Sequence, residues 1–402
     1  MTEMVPEEVT RRLRGLVAAR SVADREGVGM ETVDPDEAML RGPGAADVTE
    51  RLEKVLSVEA RTDDEVDDPV EYRRALDTLL GAARRAGDKL DADPTAPLTP
   101  VETMALEAVV RTDGSRPSLL VRDGEVDADH PTAGDWSGTL RDTKEVLRTP
   151  ISAVGRVEPV NATGRNFFGT CWVVDAGAAL ALTNLHVVEA MWKRLPFQMQ
   201  RTERGFRIRD GVFVDFVAES GSVRSNRCRV VEAVVPGEDG EDYERLDAAV
   251  LKLEPLADGK IPAAVPVRAD PDGPAGMLFS FCVVGFPGAP RYSGGVHEGV
   301  DWTWVNSTLF GNRYGVKRLA PGTAHRPLGS FEHDPRRWVF GHDPTTLGGN
   351  SGSPLLNWLD GAPGGFGLHF AGISVDTNIA HAIVACAEQL RAMGVPVEEP
   401  GP

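Results

Sequence analysis

Three short stretches of this 402-residue chain carry residue types that could perform acyl transfer. That chemistry needs a nucleophile, a base beside it, a group to orient the base, and donors for the oxyanion that develops. Gly348-Gly349-Asn350-Ser351-Gly352-Ser353-Pro354 offers the nucleophile. Its glycines let the backbone turn sharply, exposing the Ser351 hydroxyl and aiming neighbouring N–H groups at one point. Upstream, Ala181-Leu182-Thr183-Asn184-Leu185-His186-Val187-Val188 places a histidine just beyond an apolar run. Between them, Leu246-Asp247-Ala248-Ala249-Val250-Leu251 sets an aspartate at the mouth of another. Taken singly, each has an ordinary explanation: a turn serine, a strand-end histidine, a cap. Together they supply the parts of one reaction.

The elements that must position these residues divide the chain unevenly. The formal charge is −18, from 43 Lys and Arg against 61 Asp and Glu. Residues 1–150 carry 20 basic and 33 acidic side chains, a net −13, and the other 252 carry 23 and 28, a net −5. Of 25 aromatic residues only Tyr72 precedes Trp136. The acidic balance speaks against nucleic acid or an anionic membrane as partner, because both need positive charge. The early part reads as helices over 6–23, 46–59, 69–86 and 100–111. Val9, Leu13, Leu16 and Val17 form one apolar stripe, and Thr99 with Glu102 forms a capping box. One more helix is expected over Trp136–Thr149, with Pro150 favouring an extended residue before it. Short β-like runs then follow at 153–160, 171–174, 179–183, 212–217, 229–235, 248–253, 279–285, 302–309, 354–356 and 367–373. A closing helix covers Ile383–Met393. Strands at that density predict an all-β sandwich or barrel.

Cys171, Cys228, Cys282 and Cys386 include no CxxC pair, so neither a zinc nor a redox motif is indicated. The N-terminus Met1-Thr2-Glu3-Met4 lacks a secretory signal, and no run of about 18 apolar residues occurs. A cytoplasmic protein with reduced, buried thiols is expected. His325, His333 and His342, with Asp334 or Asp343, match no metal-ligand spacing, so no metal and no cofactor are expected. The Gly-, Trp- and Arg-rich segment 291–342 reads as a surface or specificity loop.

The three chemistry-bearing stretches resemble the trypsin-like (chymotrypsin-fold) serine proteases, in the bacterial branch of glutamyl endopeptidases and HtrA-type enzymes. The order His…Asp…Ser is that fold's order. Gly169-Thr170-Cys171-Trp172-Val173-Val174, Val283-Val284-Gly285-Phe286-Pro287-Gly288 and Gly367-Leu368-His369-Phe370-Ala371-Gly372 are also similar. The resemblance implies an α+β multidomain chain. A small, acidic, α-helical regulatory or adaptor region over residues 1–135 precedes a chymotrypsin-like double β-barrel with a C-terminal helix over 136–402. It implies a serine endopeptidase in which Ser351 is the nucleophile, His186 the general base and Asp247 the orienting group. Gly349 and Ser351 N–H groups would form the oxyanion hole. Thr346 and His369 fall where glutamyl endopeptidases recognise an acidic side chain, while Phe370 to Gly372 would pair with substrate backbone. A core histidine is the plainer reading of His369. Thr345 offers no carboxylate for Lys or Arg. Asn350 stands where the zymogens of this family carry an aspartate that pairs with a newly cut N-terminus, so activation by such a terminus is not expected. The implied partners are a protein or peptide substrate and a regulatory protein met through residues 1–135, with bacterial defence or signalling as the setting. Two alternatives stand beside this: a non-catalytic protease-fold scaffold, and an HtrA-like quality-control protease, for which no room remains for a C-terminal PDZ domain.

Overall fold

The computed structural model describes residues 116–399, apart from 163–165, 238–245, 258, 272–279, 290–295, 298–299, 302–312, 332–333, 335, 359–362 and 375–376. The four helices expected before residue 112 and the strand expected over 302–309 lie outside the described residues. The described chain opens with two short strands, β1 (Leu119–Arg122) and β2 (Glu125–Val126), and then helix α1 (Ser137–Ala153).

The first barrel is built from β3 (Val154–Pro159), β4 (Gly169–Asp175), β5 (Leu180–Thr183), β8 (Val212–Asp215), β9 (Arg227–Val234) and β10 (Ala249–Pro255). Helix α2 (Leu185–Arg194) and the hairpin β6 (Met199–Thr202) and β7 (Gly205–Ile208) interrupt the run between β5 and β8. The order is β10-β5-β4-β3-β8-β9, and pairing of β9 with β10 closes it. The hairpin extends the sheet outward from β9.

The second half contains β11 (Val267–Arg268), β12 (Ser280–Gly285), the pair β13 (Val296–His297) and β14 (Val300–Asp301), β15 (Arg318–Arg326) and β16 (Val339–His342). It continues with β17 (Pro354–Asn357), β18 (Gly364–Ser374), β19 (Thr377–Ala382), α3 (Ile383–Ala392) and β20 (Val397–Glu398). Here the order β12-β17-β18-β19-β16-β15 closes through β12 against β15. Two closed six-stranded antiparallel barrels fit the chymotrypsin-like double barrel that the resemblance implies. β1 adds to the second barrel, pairing with β15.

The apolar runs of the sequence become barrel strands because closure buries both faces. The first six residues of β4, Gly169 to Val174, are all shielded from water, with Trp172 fully buried against Gly365 of β18. Closed barrels of this size are filled by their own side chains.

One expectation is corrected. Pro150 does not end the helix: α1 continues through it to Ala153. Leu147, Pro150 and Ile151 are all buried. That packing compensates for the backbone hydrogen bond a helical proline forgoes.

Lys317, fully buried, ties the halves together. Its ammonium donates to Ile151 O at the end of α1 (2.8 Å) and to Phe216 O beyond β8 (2.6 Å). Burial lowers its pKa to about 8, and Glu219 and Asp215 oppose the shift.

Candidate active site

Helix α2 begins where the sequence leaves β5. Asn184 occupies the cap position, yet its side chain does not cap the helix. It donates instead to Asp247 O at 2.7 Å. The aspartate takes over the helix end: Asp247 Oδ1 accepts the backbone N–H of His186 at 3.0 Å, and Oδ2 meets His186 Nδ1 at 2.8 Å. A carboxylate beside free N–H groups at a helix N-terminus is electrostatically favoured. An ionised carboxylate can only accept, so Nδ1 carries the proton and Nε2 is left with its lone pair. Asp247 is 1% exposed and cannot exchange this contact for water.

The serine turn is docked on the first barrel through Thr170. Thr170 N donates to Ser351 O (2.9 Å) and its hydroxyl donates to Gly349 O (2.8 Å). Its own carbonyl accepts from the Thr183 hydroxyl (2.7 Å). Gly352, at φ +91, presses against the same strand: a Cβ there would lie 2.0 Å from Thr170 O. Gly349, at φ +98, is crowded by Phe286 O and the Phe167 ring. Both positions therefore require glycine for conformation and for space. A Cβ on Gly169 would meet Val187 at 2.7 Å and Ser351 O at 3.0 Å, so the start of α2 and the serine turn flank one glycine.

Ser351 is half-buried, and its hydroxyl rests 3.5 Å from Phe370 O. Among the described residues, neither Gly349 N nor Ser351 N donates to a protein acceptor. Both N–H groups are thus available to an anion beside the Ser351 hydroxyl. Asn350 is buried, and its amide donates to Leu347 O (3.1 Å), bracing the turn from within.

Beside the turn, β18 changes partners. β17 pairs with it as far as Leu368. His369 then exchanges bonds with the serine turn: its N–H reaches Ser353 O (2.9 Å) and its carbonyl accepts from Gly352 N (2.9 Å). The register against β19 slips between His369 and Ala371, making Phe370 a bulge. From Phe370 to Gly372 no strand lies on the β17 side among the described residues, leaving a backbone edge.

His369 itself is 4% exposed. Its Nδ1 lies 3.2 Å from Nε2 of the fully buried His342. Burial pulls the His369 pKa down to about 3, with the charge of His186 a lesser cause. Burial holds His342 well below the usual range too, so both rings are neutral at neutral pH. Thr346 is buried, and its hydroxyl donates to Asn378 Oδ1 at 2.7 Å, so its proton is committed inside the protein.

Among the described residues no cluster could hold a metal ion; His333 lies outside them. All four cysteines are free and buried, and burial raises every thiol, Cys228 to about 11 and Cys386 to about 12. Sequence reasoning passes over Thr170 and Thr183 because a threonine within an apolar strand looks like a β-former. Their only visible signal is adjacency to Gly169 and Asn184.

A model of the trypsin-like peptidase domain matches residues 169–365, which include the histidine, aspartate and serine segments. A probable serine protease of Lysobacter enzymogenes is 37% identical over 398 residues, covering 96% of this chain and 99% of that protein. The shared length thus takes in most of the residues before 116. Among solved structures, the VesB protease of Vibrio cholerae is similar at 11% identity, with a TM-score of 0.38 over 60% of this chain and 63% of that one.

Proposed function

Since the chain belongs to the trypsin-like serine proteases, we propose that it is an endopeptidase working through Ser351, His186 and Asp247. The observation that carries this reading is the double hold of Asp247 on His186, through Nδ1 and through the backbone N–H. In the reaction, Ser351 Oγ gives its proton to His186 Nε2 as it bonds to the scissile carbonyl carbon. The oxyanion takes the N–H groups of Gly349 and Ser351, each worth ~3 kcal/mol in the transition state. As the C–N bond breaks, Nε2 returns the proton to the leaving amine. Water then repeats the sequence on the acyl-enzyme. The bulged edge from Phe370 to Gly372 pairs with the substrate backbone. Because Asn350 braces its own turn, this oxyanion loop needs no new N-terminus to form. A fluorophosphonate tests the assignment: the wild-type protein should be labelled on Ser351 by peptide mapping.

An acidic preference at the cleaved residue is supported by the histidine pair. Among the described residues, buried His342 Nδ1 has no hydrogen-bond partner. A buried orphan N–H is rarer than a buried orphan lone pair, so the His342 proton belongs on Nε2, donating to His369 Nδ1. The His369 proton then sits on Nε2, the nitrogen left for a carboxylate. With Thr346 engaged by Asn378, this recognition rests on His369. Replacing His369 by leucine is expected to lower kcat/KM for Glu peptides about tenfold or more relative to Leu peptides. The wild-type Glu-to-Leu ratio should stay flat from pH 6 to 8, because a ring with a pKa of about 3 does not titrate there. A flat peptide library rejects the acidic pocket, whereas a ratio that falls as pH rises through the ordinary histidine range rejects recognition by a neutral ring.

Residues 1–115 hold 15 basic and 26 acidic side chains, a net −11, and we assign them a regulatory role. Cleavage by the full chain should differ several-fold from that of a chain beginning at Arg116. Equal rates on one peptide would sink simple steric inhibition. The cut belongs before 116, because β1 is part of the second barrel.

A further inference from the structure

The stretch from Asp343 to Thr346 runs from the end of β16 toward the serine turn, directly after His342, whose Nε2 lies 3.2 Å from His369 Nδ1. From one side Asn378 grips it: its amide donates to Pro344 O at 2.6 Å and its carbonyl accepts from the Thr346 hydroxyl at 2.7 Å. From the other side the grip comes from the first described residue of the chain. Arg116 Nε and Nη2 each lie 2.8 Å from one oxygen of Asp343, a fork-to-carboxylate pair. Arg116 O accepts the Thr345 hydroxyl at 2.5 Å. Thr323 completes the knot, its N–H donating to Asp343 Oδ1 at 2.7 Å and its hydroxyl meeting Oδ2 at 3.1 Å. The Arg116 guanidinium also lies over the Trp136 ring, 5.5 Å from its centroid.

Asp343 is 6% exposed. A buried carboxylate needs a charged partner, and a bidentate arginine also fixes its direction. Arg116 thus sets where Asp343 and Thr345 sit, while Asn378 sets Pro344 and Thr346. The wall is held at alternate residues by two elements, one of which is continuous with the chain before residue 116. We infer that Arg116 is a positioning residue for the substrate pocket, acting through its hold on Asp343 and Thr345. This rests on reading His369 as part of the substrate pocket.

The Arg116 contacts above go to Asp343, Thr345 and Trp136 and not to Ser351, His186 or Asp247, so its loss should separate binding from chemistry. In the full-length protein, Arg116→Gln and Asp343→Asn are each expected to raise KM about tenfold while leaving kcat within about twofold. The rate of fluorophosphonate labelling, which reads Ser351 and its base but barely uses the pocket, should also stay within about twofold. Arg116→Lys should recover part of the loss, and the double variant should be no worse than either single one. Hydrogen exchange of the backbone amides at 343, 345 and 346 should speed up in Arg116→Gln, which reads positioning whether or not the protein turns over. Unchanged KM and unchanged exchange would overturn the inference. So would kcat and labelling falling together with KM unchanged, since that pattern means a smaller folded fraction. Absent labelling of the wild-type protein at Ser351, with faster exchange in the variant, would instead reject the catalytic reading and leave the hold of Arg116 on residues 343–346 standing.

Discussion

Ser351→Ala is expected to lower kcat by about 10⁶-fold and to abolish fluorophosphonate labelling while leaving the thermal midpoint within a few degrees. The size follows from losing the nucleophile, which no neighbouring group replaces: the next serine, Ser353, is fully buried. The unchanged stability follows from how the turn is held. Backbone atoms carry it, through Thr170 N to Ser351 O and the Thr170 hydroxyl to Gly349 O. The Ser351 hydroxyl makes one long contact, 3.5 Å to Phe370 O, and removing it leaves no buried group unpaired. Steady-state kinetics, labelling and a melting curve on the same preparation read all three. Residual cleavage within a hundredfold of wild type would mean that Ser351 is not the nucleophile.

The same turn shows what a sequence can disclose. Gly349 and Gly352 are legible because positive φ and close backbone contact both demand glycine, and a Gly-rich turn around a serine advertises that demand. His186 and Asp247 are legible as polar residues at the ends of apolar runs. That His186 rides on the first turn of a helix is not legible, because Leu185 and Val187-Val188 continue the β-like run of β5. Nor are β15, β16 and β19 visible: Ala320-Pro321-Gly322 sets a proline and a glycine inside β15, Gly341 interrupts the four residues of β16, and the short alternation of Thr377 and Ile379 in β19 ends in Ala380-His381-Ala382, so barrel closure holds them. Arg116 is invisible for a different reason. Its partners Asp343 and Thr345 are 227 and 229 residues away, and one arginine before a short strand has no local pattern. Local signals announce turns and apolar runs; contacts between distant segments appear only when both barrels have closed.

The second large effect belongs to Asp247→Asn, expected to lower kcat at neutral pH by about 10⁴-fold. Asp247 Oδ1 accepts the His186 backbone N–H at 3.0 Å, and that N–H sits in the first turn of α2, where no intrahelical acceptor exists. In the variant the amide oxygen must stay there, because turning the amide nitrogen toward the backbone N–H would oppose two donors. The amide nitrogen is thereby directed at His186 Nδ1, where the wild type has Oδ2 at 2.8 Å. Facing a donor, Nδ1 must become the acceptor, and the imidazole proton moves to Nε2. His186 then has no lone pair with which to take the Ser351 proton, and no anion stabilises its cation in the transition state. The fold should be little changed, because the hold on the helix end and the bond from Asn184 to Asp247 O both persist. Asp247→Ala should differ in kind: it leaves the His186 N–H unsatisfied in a buried site, costing about 1–3 kcal/mol of stability in addition to activity. Comparing the two variants by kcat and by thermal midpoint separates tautomer control from support of the helix end. A kcat loss below about tenfold in Asp247→Asn would remove Asp247 from the reaction.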